Sequence, residues 1–104
     1  MARCRFSTRA EADLLRIGAY TLQTWGEDQA IRYMIELETC CQTLADNPAI
    51  GRGCDDIRLG LRRMESRRHV VFYREEAEGI LVSRILHQRM LPEGHAFDDD
   101  DSDA

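Results

Sequence analysis

Hydrophobic periodicity divides the chain into two regimes that meet at Pro48: helical spacing before it, alternation after it. Leu14, Leu15, Gly18, Leu22 and Trp25 trace one helical stripe, with Glu11, Asp13, Arg16 and Gln23 among the polar positions. Ser7 and Thr8 precede it as N-cap candidates, and Glu11 follows Thr8 at capping-box spacing. Gly26 suits the left-handed residue after a helix, so the first helix is expected to end near Trp25. Glu27 and Asp28 favour the positive end of a second helix, along which Ala30, Met34, Leu37, Cys41 and Leu44 form the apolar stripe. Asn47 ends it, because a residue before proline avoids helical backbone angles.

Beyond Pro48, Ile57, Leu59 and Leu61 predict one strand, Val70, Phe72 and Arg74 a second, and Ile80, Val82, Arg84 and Leu86 a third. Ser66-Arg67 and Glu76 to Gly79 are short enough to pair them consecutively and antiparallel. A short edge strand at Arg3 to Phe6 completes a β-α-α-β-β-β order. The expected fold class is α+β, with a helical hairpin on one face of a small, mainly antiparallel sheet and the other face partly open. Asn47 to Gly60 is the one longer irregular loop. At 104 residues one domain is expected, spanning residues 1–94, followed by a tail at residues 95–104 whose aspartates have nothing to bury and predict disorder.

Charge changes this picture in one respect. The formal net charge of −5 comes from the tail: without Asp98, Asp99, Asp100, Asp101 and Asp103, the 14 basic residues face 14 of the 19 acidic ones. All the basic residues are arginine, so a lysine mechanism is excluded and each cation is a fork suited to carboxylate or phosphate. GC-rich coding produces the same bias. Arg62, Arg63, Arg67, Arg68, Arg74, Arg84 and Arg89 crowd around the predicted sheet, a surface that attracts an acidic partner. Arg74 and Arg84 interrupt apolar strand faces and need a carboxylate, an edge or a groove; Glu65 and Glu75 are the nearest partners by sequence.

Local chemistry is sparse. Gly51-Arg52-Gly53 lacks the strand, helix and Lys of a phosphate loop. Cys4, Cys40, Cys41 and Cys54 lack paired metal-ligand spacing, so neither a metal nor another cofactor is expected, and the thiols are expected to be reduced. No signal-like or membrane-spanning apolar run occurs, which gives a cytoplasmic expectation with no membrane partner. His69, opening a strand, reads as a hydrogen-bonded structural imidazole. His87, ending one beside Gln88 and Arg89, suits a structural or a functional role equally.

In order along the chain, Ser7-Thr8-Arg9-Ala10-Glu11-Ala12-Asp13-Leu14, Trp25-Gly26 with Gln29-Ala30 and Tyr33, and Asn47-Pro48-x-x-Gly51-Arg52 resemble the ParE branch of the RelE/ParE toxin superfamily. So do Asp56-Ile57-Arg58-x-Gly60-x-Arg62-Arg63, His69-x-x-Phe72-Tyr73-Arg74 and Arg84-Ile85-Leu86-His87-Gln88-Arg89. The resemblance implies the same β-α-α-β-β-β fold and a type II toxin held in a hetero-oligomer with a ParD-like antitoxin. The implied target is DNA gyrase, inhibited without bond breaking, so that nucleic acid is reached only through gyrase or the antitoxin. Antitoxin contacts are expected at Trp25, Tyr33, Met34, Arg62, Arg74 and Arg84, and target contacts at Arg63, Arg68, His87, Arg89 and Met90. RelE-type relatives of this fold cleave ribosome-bound mRNA, which keeps an alternative open: Arg68, Tyr73, His87 and Arg89 around a phosphate, with Glu65 as base. An inactive antitoxin-binding relative is a third reading. The chain departs from the family pattern at Gln88-Arg89-Met90 and in its aspartate tail.

Overall fold

A computed structural model describes residues 2–90. The expected domain end at residue 94 and the acidic tail at residues 95–104 lie outside the described residues. Strand β1 (Arg3–Phe6) leads into helices α1 (Thr8–Trp25) and α2 (Glu27–Asp46), and Pro48–Ile50 forms a single 3-10 turn. Strands β2 (Arg52–Gly53), β3 (Arg62–Ser66), β4 (His69–Glu76) and β5 (Gly79–His87) follow. The sheet order is β1-β5-β4-β3-β2, antiparallel except that β1 runs parallel to β5, from Arg3 opposite Gly79 to Phe6 opposite Val82. This mixed five-stranded sheet with an α-helical hairpin is the expected α+β architecture, with one extra short strand.

Three expectations are corrected. The strand predicted at Ile57 to Leu61 is a series of turns, with Leu59 85% exposed, and the strand begins at Arg62. The turns fold onto the sheet face away from the helices, where Cys54 and Leu61, with Ile57 packed against them, meet Val70, Phe72 and Leu86. Second, Ser7 alone caps α1. Its hydroxyl accepts from the Ala10 N–H at 3.0 Å and donates to the Ser83 carbonyl at 2.8 Å, all within the interior. Ser83 is the extra residue of a β-bulge: Phe72 pairs with Arg84 and Tyr73 with Val82.

Third, the bulge reverses alternation in β5. Ile80, Val82 and Ile85 all join the helix-side core, whereas the period-two reading grouped Ile80 and Val82 with Leu86. That core also holds Ala10, Ile17, Tyr33, Leu37, Cys41, Leu44, Val71 and Tyr73. On α1 the buried positions are Ala10, Asp13, Ile17 and Thr21. The stripe predicted to be core is displaced: Leu14 is half-buried, while Leu15 is 77% and Leu22 53% exposed. On α2 the predicted stripe does face inward, with Met34 at its margin.

The loop after α2 is fixed by one hydroxyl. Tyr73, buried in β4, donates to the Pro48 carbonyl at 2.6 Å and accepts from the Gly51 N–H at 2.9 Å. A Cβ on Gly51 would lie 2.3 Å from that hydroxyl and 2.8 Å from the Arg63 carbonyl, so only glycine fits. Arg62 Nη1 donates to the Gly51 carbonyl at 2.6 Å and closes the corner.

Candidate functional site

Asp13 is the polar centre from which the site is built. It is 2% exposed, and its carboxylate accepts from Arg84 Nε at 2.8 Å, Arg84 Nη2 at 2.9 Å and the Ile85 N–H at 2.9 Å, and pairs with Arg16 one turn along. The Arg84 partner is thus Asp13, not Glu65 or Glu75. Arg84 is buried in this fork–fork pair, which pins α1 across the end of β5 and places Arg84 beneath the surface rather than on it.

Beside this pair, both helices and the sheet converge at the β3–β4 turn, where Arg67 takes positive φ (56°). A run of rings crosses from the hairpin tip to the sheet: Trp25 to Tyr33 at 5.9 Å, Tyr33 to His69 at 5.5 Å and His69 to His87 at 5.3 Å between centroids. Tyr33 and His69 Nδ1 approach to 2.5 Å, and the Arg68 N–H donates to the same tyrosine hydroxyl at 3.3 Å. A neutral His69 protonated on Nε2 leaves Nδ1 able to accept from that hydroxyl. Burial first, then the neighbouring His87, lowers the His69 pKa to about 4, against a weaker opposing pull from Asp13. His69 is a structural imidazole at neutral pH, as its strand position suggested.

Around these rings lie two clefts. One, of about 510 Å³, is lined by Asp13, Tyr20, His69, Arg84, His87 and Met90 among others. The second, of about 690 Å³, is lined by Trp25, Gln29, Arg32, Tyr33, Glu36, Arg67 and Arg68. The Arg68 guanidinium lies 5.2 Å from the centre of the Trp25 ring, and Arg67 pairs with Glu36.

The structure brings some expected residues together and separates others. Arg68, His87, Arg89 and Met90 share the end of the molecule where Gln88 N–H meets the Arg68 carbonyl at 2.8 Å. Arg63 lies apart from them, its guanidinium 5.4 Å from the centre of the Phe72 ring. Of the residues considered for a phosphate, Tyr73 is fully buried with its hydroxyl occupied. Glu65 pairs with Arg52 at 2.5 Å and sits opposite Val70, on the sheet face away from Tyr73. His87 Nδ1 accepts the Arg89 N–H at 3.1 Å. Those five do not converge on one point. Of the residues assigned to the antitoxin, Trp25 is 38% exposed and Met34 half-buried, whereas Tyr33 belongs to the core with only 8% exposed. Arg62 holds the Gly51 corner, and Arg74 lines a shallow cleft with Arg3, Arg5 and Glu75 at the far end of the sheet.

The feature missed in the sequence is the outer face of the hairpin. Leu15, Leu22, Ile31 and Ile35 are all more than half exposed, and they border shallow grooves lined by Gly18, Ala30 and Met34. A second apolar stripe on each helix was the signal: Ile31 and Ile35 lie one turn apart, off the core stripe of α2. Among the described residues no helix is long and apolar enough to cross a membrane, and no set of three His, Cys, Asp or Glu side chains is placed to hold a metal ion.

Comparison with known proteins places this surface in context. Residues 4–92 match the family model described as ParE toxin of the type II toxin-antitoxin system, parDE. The chain is 44% identical over 90 residues to Toxin ParE1 of Mycobacterium tuberculosis, covering 86% of this chain and 92% of that protein. It is 41% identical over 91 residues to Toxin ParE1 of Caulobacter vibrioides, covering 88% and 94%. A solved chain from a chromosomal ParDE TA system of P. aeruginosa has the same fold, with a TM-score of 0.71 at 19% identity over 84% of this chain and 96% of that one. With its model matched over nearly all the described residues and these relatives well above 30% identical, the chain belongs to the ParE family of type II toxin-antitoxin toxins.

Proposed function

We propose that this toxin is held by a ParD-like antitoxin seated on the hairpin, and that it acts, once free, by binding and inhibiting DNA gyrase. The observation that carries the first part is the apolar outer face. Four large aliphatic side chains exposed together on two adjacent helices are costly to leave in water, at roughly 25 cal/mol per Å², and mark an interaction surface. Leu15, Leu22, Ile31 and Ile35 extend the contact set of Trp25 and Met34. Tyr33 supports it from beneath, and Arg62, Arg74 and Arg84 act through the framework more than by direct contact.

A binding mode of action is favoured over mRNA cleavage by the scatter of Glu65, Tyr73 and His87, because acid-base chemistry needs its groups within hydrogen-bond reach of one substrate. Arg68, His87, Arg89 and Met90 gather at one end and form the proposed target contact, with Arg63 outside it. Purified toxin is expected to inhibit gyrase in a supercoiling assay, and R68S with R89S to relieve that inhibition. Full gyrase activity at excess toxin, with codon-phased mRNA ends on induction, would replace this reading with ribosome-dependent cleavage.

A further inference from the structure

The cleft of about 510 Å³ is lined by α1 and by the ends of β4 and β5, with two kinds of side chain. Ile17, Tyr20, Ile85 and Met90 supply apolar surface, of which Tyr20 is 59% and Met90 46% exposed. Asp13, Arg16 and Arg84, with His69 and His87, supply the polar part. The one carboxylate among them is spent. Asp13 accepts from Arg16, twice from Arg84 and from the Ile85 N–H, which fills the roughly four acceptor positions that a carboxylate has. Two guanidinium groups share that single anion, so the polar part keeps an excess of positive charge.

The two imidazoles decide what such a cleft accepts. His69 and His87 stand directly opposite each other on β4 and β5, with ring centres 5.3 Å apart. The Arg89 N–H can only donate, so His87 Nδ1, 3.1 Å away, offers a lone pair and the ring proton sits on Nε2. His69 protonated on Nε2 meets the Tyr33 hydroxyl through Nδ1 in the same way. Among the described residues neither Nε2 has a hydrogen-bond partner, yet the partnerless side-chain atoms sealed from solvent are Arg63 Nε and Arg74 Nε. Both Nε2 groups therefore reach solvent, although His69 is only 9% exposed, and the cleft is the space that both rings border. A partnerless N–H in a largely buried ring calls for an acceptor. We infer that this cleft is a binding site for a small carboxylic acid with an apolar body. Its carboxylate accepts from His69 Nε2–H and His87 Nε2–H beside the Arg16–Asp13–Arg84 group, and its body packs on Ile17, Tyr20, Ile85 and Met90. Hydrogen bonds of about 2.9 Å let the two oxygens of one carboxylate span the two rings, and the negative charge strengthens both. The volume is of the size that takes a small molecule, at roughly 300–1,000 Å³. A bound acid would cover His87 and Met90, part of the proposed target contact, but the inference rests on the cleft alone and does not depend on the target.

Three probes of one shape test the chemistry on the full chain: 4-phenylbutyrate, 4-phenylbutan-1-ol and 4-phenylbutylamine, titrated by 1H–15N NMR at about pH 8, where free imidazoles are neutral. The acid is expected to shift the resonances of Ile17, Ile85 and His87 saturably, with a Kd of order 1 mM or tighter, the scale of a fragment-sized ligand. The alcohol should bind at least fivefold more weakly, and the amine should leave those resonances unmoved. Side-chain 15N spectra should show both His69 and His87 protonated on Nε2. H87F, which keeps a ring but no donor, should weaken the acid at least threefold, and H87Q, which restores an N–H, should recover part of the loss. The probe series needs no substitution, so a folding defect in H87F leaves it decisive. Absence of saturable shifts up to about 10 mM acid, about ten times that Kd, would overturn the inference. So would equal affinity for acid and alcohol, which marks a merely apolar patch, undiminished binding in a folded H87F, or a His87 proton on Nδ1.

Discussion

Replacing Asp13 by alanine removes the buried carboxylate that accepts from Arg84 Nε, Arg84 Nη2 and the Ile85 N–H. Arg84 cannot recover water easily, because its side chain is only 9% exposed. Breaking a buried ion pair from one side costs about 3–5 kcal/mol, since the surviving charge stays desolvated. The stranded backbone N–H adds about 1 kcal/mol or more. A domain of this size is stable by roughly 5–15 kcal/mol, so D13A takes a large share of the total. At about 4 °C per kcal/mol, Tm should fall by at least about 12 °C. Urea unfolding measures the loss directly, and R84M and the double variant D13L/R84M complete the cycle. Removing both charges spares the cost of an orphan, so the double variant should be more stable than D13A and far from additive. A D13A loss below about 1 kcal/mol, or strict additivity, would show that the pair does not anchor α1 to β5.

G51A should destabilise by about 1–3 kcal/mol, because its Cβ would collide with the Tyr73 hydroxyl. In a Y73F background that penalty should shrink; chemical denaturation of the two singles and the double reads it. Acid should weaken the fold through His69, whose native pKa of about 4 lies below the ordinary 6.5. Its contribution is present above pH 6.5 and is lost as the unfolded chain takes up the proton below that, about 2 kcal/mol between pH 7.5 and pH 5. Denaturation at both pH values should show the fall, and H69Q should flatten it; an unchanged slope in H69Q would assign the effect elsewhere. L15D and I35D should leave Tm within about 2 °C, as surface changes do, yet weaken antitoxin binding at least tenfold by calorimetry. Undiminished affinity in both would move the antitoxin off the hairpin.

Elements and their order were legible from local rules that act over a few residues. Ser7 announced a cap, Gly26 and Asn47-Pro48 the helix ends, and alternation marked β4 and β5. The motif order named the family, and the composition separated a neutral body from an acidic tail. What the sequence could not rank was which of two apolar stripes on α1 faces the sheet. The buried one contains Asp13 and Thr21, polar residues that hydrophobic periodicity assigns to solvent. They are tolerated inside because partners far along the chain satisfy one and the local backbone the other: Arg84 and Ile85 for Asp13, the Ile17 carbonyl for Thr21. The β5 bulge is equally non-local. It decides that Ile85 turns inward and Ser83 offers its carbonyl to Ser7, and nothing within the strand's own pattern marks it. Chain-local chemistry therefore determined the parts and the kinship of this protein. Long-range pairing of buried polar groups decided which faces were left exposed, and the proposed binding surface is one of them.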